Sequence, residues 1–379
     1  MRALVAKLAV MAGFVLAALT GLAAAGPSIA IDVATGKVLS QDNASQRWYP
    51  ASTTKLMTAY LVLSDISEGR ASLDTPVVMS RLAAGQAPGK MGYPAGSVMR
   101  LDKALQMLLV KSANDVAVAI GETLAESHEA FVARMNREAA RLGMADTQFV
   151  NPNGLPGAGQ YTTARDLAIL GRAIRQEFPS FNSYFGIEAI RAGDVQMVNG
   201  NGLLGRYRGA DGMKTGYICA SGFNLVSSAT RDGRTVLVVV LGADGPISRE
   251  RDSARLLEQG FSANPADISL LVEQLPTSNG PPTDVSAQIC SDAARTARAN
   301  ERQVEEGRAQ TYGSPYMTDR DREPVTLTVA LGGAAASGDI AAGITQIAAY
   351  GIPVPTARPT LPGDAVSMAD DRAASVTQQ

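Results

Sequence analysis

Two stretches of period-two hydrophobicity lie at opposite ends of a helical middle, and that order constrains the fold more than anything else in the chain. "PSIAIDVATGKVLSQDN" reads as a hairpin, with Ile29 and Ile31 alternating and Thr35-Gly36 marking the turn. The middle is helical: a segment after Ser52, others over about 101–110 and 115–125, one through Phe131 ending at Gly143, and "ARDLAILGRAI" with Thr163 as N-cap. From residue 211 the period changes to strands. "GMKTGYI", "FNLVSSAT" and "TVLVVVLGA" follow in order, the last two joined by the turn Arg231-Asp232-Gly233-Arg234. A helix over roughly 250–261 closes this region, and the layout is α+β.

With 46% hydrophobic and 18% charged residues among 379, there is ample material for a core. Beyond about residue 263 the character shifts. "PTSNGPPTD", "GGAAASGD" and "GIPVPTARPTLPGD" are rich in Pro, Gly, Ala and Ser, and only "VTLTVAL" offers a clear strand. Residues 263–379 are therefore expected to be a mostly flexible tail.

At the other end, Arg2 and Lys7 precede an apolar run from Leu8 to Leu22, followed by Ala23-Ala24-Ala25. That is the order of a secretory signal, and the run is short for a membrane span. Cleavage after Ala25 and export are expected, leaving a folded domain over 26–262. The chain end "SMADDRAASVTQQ" is not a basic amphipathic helix, so no membrane anchor is expected there.

Several chemistries drop out. A net charge of −2 gives no sign of nucleic-acid binding. The single histidine, His128, excludes a His-Glu-x-x-His zinc peptidase and is best placed as a surface residue at a helix start. No Gly-x-Ser-x-Gly elbow occurs, and two cysteines without Cys-x-x-Cys exclude a zinc ribbon or redox dithiol.

What remains is an oddity in "RWYPASTTKLMTAYLVL". From Thr53 this segment has almost no polar face, so its helix belongs in a core, where the Lys55 ammonium is costly. Ser52 and Lys55, three apart, share one helical face. The arrangement suits a nucleophile with its base, although a snorkelling lysine and a capping serine would give the same letters. Two further patterns follow in order. Ser112-Ala113-Asn114 falls in a short break between helices, and Lys214-Thr215-Gly216 lies on a strand. Ser180 and Ser262 also begin Ser-x-Asn matches, but the second is out of order and the first lies where no helix break is expected.

Ser-x-x-Lys, Ser-x-Asn and Lys-Thr-Gly in that order are the set of the penicillin-recognising serine enzymes. With "YPASTTKLMTAY", "KSANDVAVA", "LGMADTQFVNPNGL", "YTTARDLA" and "DGMKTGY", the chain from about 28 to 261 resembles the low-molecular-mass penicillin-binding proteins that are D-alanyl-D-alanine carboxypeptidases. The resemblance implies the penicillin-binding protein and serine β-lactamase fold: a five-stranded antiparallel sheet flanked by helices, with a helical subdomain. It also implies peptidoglycan stem peptides as substrate, β-lactam antibiotics as inhibitors, and no metal or cofactor.

On that resemblance Ser52 is the nucleophile and Lys55 its base, kept neutral by burial and by Lys214 as a second cation. Ser112 relays a proton to the leaving amine, and Asn114 holds Lys55 and the substrate amide. The N–H groups of Ser52 and Tyr217 form the oxyanion hole, with Gly216 on the same strand. Lys214, Thr215 and Arg249, the last placed just before the closing helix, seat the substrate carboxylate. Some relatives carry a basic residue before Leu203-Leu204 where this chain has Gly200.

A class A β-lactamase would need a Glu-x-x-Leu-Asn loop, and none lies between Ser112 and Lys214. A D,D-endopeptidase cutting cross-links and a non-catalytic peptidoglycan-binding scaffold remain as alternatives. The intact Ser52, Lys55, Ser112, Asn114 and Lys214 weigh against the scaffold. Export and an even cysteine pair predict a Cys219–Cys290 disulfide, the alternative being a buried Cys219 that packs as a small hydrophobe. Such a bridge would make residues 263–290 an ordered cover and leave the rest of the tail free.

Overall fold

The computed structural model describes residues 26–125 and 127–333; the expected signal peptide and residues 334–379 lie outside the described residues. Strands β1 (Ser28–Asp32) and β2 (Val38–Asp42) form the expected hairpin, closed where Asp32 accepts from the Thr35 hydroxyl and the Gly36 N–H. A single 3-10 turn, Ala51–Thr54, leads into the buried helix Lys55–Ser67. Short strands β3 (Pro76–Val78) and β4 (Val98–Arg100) pair antiparallel beside the helices Leu101–Val110, Asn114–Leu124 and His128–Leu142. Gly143, at φ +80°, ends the last of these, and Thr163 caps Ala164–Glu177 through its side chain.

A small hairpin of β5 (Ala189–Ala192) and β6 (Val195–Val198), which the sequence pattern does not announce, precedes the main meander. That meander is β7 (Ala210–Ile218), β8 (Gly222–Arg231) and β9 (Arg234–Ala243). The central sheet has order β2-β1-β9-β8-β7 and is antiparallel throughout. The N-terminal hairpin is thus completed by strands that arrive some 170 residues later, and the helical middle is an insertion into one sheet.

"TVLVVVLGA" lacks alternation because both faces of β9 are covered. Leu237, Val239 and Leu241 join the core shared with helix Ala164–Glu177, while Val236, Val238 and Val240 pack with Ala254 and Leu257 of the closing helix. Each such burial stabilises by roughly 1.5–3 kcal/mol, so neither parity tolerates a polar residue.

Two expectations need correction. The closing helix spans Pro246–Ser262, a turn longer than expected at its start, because Pro246 fits the first helical position and the Ser248 hydroxyl accepts from the Gly245 N–H. Arg249 therefore lies in its first turn, not before it. Residues 263–290, expected to be ordered only if Cys219 and Cys290 join, as they do, and residues 291–333, expected to be free, both fold onto the domain. The second stretch carries helix Asp292–Glu305 and strand β10 (Thr326–Thr328), which pairs in parallel with β5. Val272, Leu275, Met317 and Val329 bury into the two cores, and Ile289 is buried as well. Backbone bonds fasten the rest, among them Val38 N–H to Leu270 O, Thr283 N–H to Arg47 O and Thr318 N–H to Arg206 O.

Candidate active site

Ser52 sits in the 3-10 turn before the buried helix, and the turn is pinned from the sheet. The Asn224 side chain on β8 donates to Tyr49 O at 3.0 Å and Pro50 O at 3.2 Å, and accepts from Gly242 N at 3.0 Å. Ala51 takes φ +47° immediately before the serine, a left-handed conformation that side-chain-bearing residues rarely adopt. Strand β7 passes over this turn so closely that a Cβ on Gly216 would lie 2.9 Å from the Ser52 nitrogen. Only glycine lets the Lys-Thr-Gly strand and the Ser52 turn come together.

Lys55 is fully buried at the first position of its helix. Its Nζ lies 3.0 Å from Ser52 Oγ, 2.8 Å from Asn114 Oδ1 and 2.6 Å from Asn153 O. Asn114 is oriented by its other amide atom, which donates to Pro88 O at 3.0 Å, so Oδ1 must face the lysine. Two of the three contacts can therefore only accept, and Ser52 alone can donate. A neutral amine has two N–H groups and one lone pair, which is the complement of that set. Burial first, then the Lys214 charge, pushes Lys55 well below its ordinary 10.5, against an opposing pull from Asp115.

Ser112 occupies the break between helices at φ +62°, and its Oγ is buried with no hydrogen-bond partner. A hydroxyl left unspent in that way is free to engage an incoming group. Ser180, the competing match, does lie between two helices, in the 3-10 turn Pro179–Phe181, but it is exposed; Ser112 lines the cavity that Ser52 opens into.

Lys214 is buried on β7, donates to Thr215 O at 2.9 Å, and is lowered to about 7, by burial first and by Arg249 second. Arg249 is clamped by Glu250, with bonds of 2.9 and 2.6 Å, and donates from Nη2 to Gly200 O at 2.8 Å. Its Nη1 takes no part in these bonds. Gly200 admits no larger residue without movement, since a Cβ there would stand 2.9 Å from Thr215 Oγ1. A basic side chain at this position would require Thr215 to shift.

Ser52, Ser112, Asn114, Thr215, Gly216, Tyr217 and Arg249 all border one cavity of about 660 Å³. Cys219 borders it too and is joined to Cys290, with Cα atoms 5.6 Å apart. The Tyr217 ring stacks on Phe223 at 4.3 Å and its hydroxyl lies 3.3 Å from Cys290 Sγ, so the bridge braces the rim.

Sequence reasoning missed Asn153, Asp115 and Asn224. Asn153 acts through its backbone carbonyl, which no residue type advertises. Asp115 is buried and accepts from the Met91 and Gly92 N–H groups, fixing the loop that carries Pro88 and Gly89 to the cavity.

Comparison with known proteins bears on the family and the fold. The family model described as D-alanyl-D-alanine carboxypeptidase matches residues 17–245. The D-alanyl-D-alanine carboxypeptidase DacD of Escherichia coli is 35% identical over 245 residues, covering 62% of this chain and 63% of the relative. The crystal structure of DacD from Francisella tularensis superposes with a TM-score of 0.62 at 32% identity, covering 63% of this chain and 70% of that one. Penicillin-binding protein D2 from Listeria monocytogenes, solved in its ampicillin-bound form, gives a TM-score of 0.55 at 29% identity, covering 62% and 97%. The chain spans about three fifths of the length of the curated relatives it matches. On the match over 17–245, this chain belongs to the D-alanyl-D-alanine carboxypeptidase family.

Proposed function

We propose that the chain is an exported serine D-alanyl-D-alanine carboxypeptidase that removes the terminal D-alanine from peptidoglycan stem pentapeptides and is acylated by β-lactams. The observation that carries the reading is the contact of Lys55 Nζ with Ser52 Oγ at 3.0 Å, in a setting whose other partners can only accept. Ser52 Oγ passes its proton to Lys55 and attacks the penultimate D-Ala carbonyl carbon. The Ser52 and Tyr217 N–H groups receive the developing oxyanion. Ser112 hands a proton to the departing nitrogen, free D-alanine leaves, and water hydrolyses the ester. Lys214, Thr215 and Arg249 seat the terminal carboxylate, a role that suits a guanidinium whose Nη1 is unspent.

The order Arg2, Lys7, apolar run and Ala23-Ala24-Ala25 supports removal of residues 1–25 and placement in the bacterial periplasm. Among the described residues no helix is long and apolar enough to cross a membrane. The test is free D-alanine released from a pentapeptide ending in D-Ala-D-Ala, with covalent labelling by a fluorescent penicillin run alongside. Wild type should do both and Ser52→Ala neither. A labelled Ser52→Ala, or a wild type that releases no D-alanine, overturns the assignment.

A further inference from the structure

Among the described residues, the charged side chains that line the catalytic cavity are Arg249 and Lys111, and no carboxylate lines it. Lys55 and Lys214 lie buried behind its walls. Arg249 has its partners in Glu250 and Gly200 O, and a place at the terminal carboxylate in the reading above. Lys111 has neither. It stands at the C-terminal cap of helix Leu101–Val110, directly before Ser112, and is partly buried. Among the described residues its ammonium makes no hydrogen bond and no ion pair. The ordinary task of a lysine at this place is to meet the last carbonyls of its helix, and this one does not. The acids that directly follow lining residues are spent elsewhere. Asp115, after Asn114, accepts from the Met91, Gly92 and Val116 N–H groups; Glu250, after Arg249, holds that arginine and the Gly202 N–H.

The cavity also extends past the terminal D-alanine. If Thr215 and Arg249 seat its carboxylate, the substrate runs from there along β7, with Gly216 at the Ser52 turn and the lining continuing through Tyr217, Ile218 and Cys219 to Phe223. From Thr215 to Ile218 the strand advances about 10 Å. One D-alanine spans about 3.5 Å, so the remaining length borders the acyl part of the substrate. The other wall comes from the helical side, with the Pro88-Gly89 loop, Lys111, Ser112, Asn114 and Leu155. An acyl chain lying along β7 therefore passes an apolar rim, Tyr217 stacked on Phe223, and meets a helical wall whose one lining charge is an unpaired ammonium. The stem peptide ahead of the D-alanines carries carboxylates of its own. One is the α-carboxylate of the γ-linked glutamyl residue; another, in one class of peptidoglycan, ends the side chain of the diamino acid.

We propose that Lys111 is a specificity residue of this cavity, and that its ammonium pairs with a carboxylate on the acyl side of the stem peptide, selecting stems in which that carboxylate is free over stems in which it is amidated. The inference rests on the proposed carboxypeptidase reaction and adds no step to it; Ser52, Lys55 and Ser112 act as before. The pair forms in the bound substrate and persists in the transition state, so it acts on KM and leaves kcat alone. An ion pair in open water is worth little. One formed inside a partly enclosed cavity, by an ammonium that gives up no earlier partner, is worth about a tenfold preference. An amide of the same shape forfeits it.

The probes are pentapeptides of one sequence ending in D-Ala-D-Ala: one with both stem carboxylates free, one amidated at the diamino acid, and one amidated at the glutamyl residue. Wild type should release D-alanine from the free peptide with kcat/KM about tenfold above that of one of the two amides, through KM, and the preference should shrink as salt rises. The amide that loses identifies the carboxylate that Lys111 meets. Lys111→Gln should bring the ratio close to one, Lys111→Glu should invert it, and Lys111→Arg should keep most of it. A preference that survives Lys111→Gln overturns the assignment. So does a Lys111→Gln protein that loses kcat equally for every peptide with KM unmoved, which is the mark of a structural role beside Ser112. A wild type that releases D-alanine and takes up penicillin but treats the peptides alike refutes this inference alone. One that does neither refutes the proposed function and takes this inference with it.

Discussion

Replacing Lys214 by methionine should make the protein more stable and less active, and the size of the gain should depend on pH. Lys214 is 1% exposed and makes one hydrogen bond, to Thr215 O. Burial and the neighbouring Arg249 bring it from 10.5 to about 7. Between those values the unfolded chain keeps a proton that the folded chain has shed, so wild-type stability rises with pH across the window. By linkage, near pH 7 the depressed value costs the folded state about 4 kcal/mol, at 1.36 kcal/mol for each pKa unit. Methionine keeps most of the volume and removes the charge; the lost bond to a carbonyl returns about 1 kcal/mol. The variant should therefore be more stable by roughly 2–3 kcal/mol near pH 7, and the advantage should vanish towards pH 10. Urea unfolding of both oxidised proteins across that range measures it. A variant less stable than wild type at neutral pH, or one whose advantage is flat in pH, refutes the account of Lys214 as a buried cation held against its own solvation.

Further outcomes follow from the same geometry. Because Lys55 is pushed well below 10.5, kcat/KM for acylation should rise along an acid limb and level off far below that value; a limb near 10 would remove Lys55 as the neutral base. Gly216→Ala places a methyl 2.9 Å from the Ser52 nitrogen and should cut penicillin acylation by roughly a hundredfold through displacement of the turn, with near-normal labelling as the contrary result. Cys290→Ser opens a loop of sequence separation 71, which the chain-entropy model values at about 4 kcal/mol; a melting temperature equal to that of oxidised wild type would show that the bridge holds nothing.

How far the site could be read in advance depends on which atoms act. Ser52, Lys55, Asn114 and Lys214 were legible because the proposed chemistry needs particular side chains, and because a lysine in an otherwise apolar helix contradicts its surroundings. The unbroken apolar run of β9 was read only as a strand; that both of its faces are buried emerges from the packing. Asn153 was not legible in its role, since it is a backbone carbonyl that accepts the hydrogen bond from Lys55 Nζ, and any residue supplies one. Arg249 was placed one structural step too early: the helix begins at Pro246, and a reading from apolar periodicity starts where the side chains begin to repeat, not where the backbone does. The C-terminal segment was misread for a related reason. Its anchors are backbone bonds between its Leu270, Thr283 and Thr318 and the domain's Val38, Arg47 and Arg206, a parallel pairing of β10 with β5, and single apolar residues spaced widely along it. None of these produces a period, and Pro- and Gly-rich composition then argues for disorder. Yet this segment supplies Arg302 and Arg320 beside the catalytic cavity. Composition measures whether a segment can build a core of its own; a segment that borrows the core of a finished domain needs only a few buried side chains and a path along its surface, and so escapes the measure.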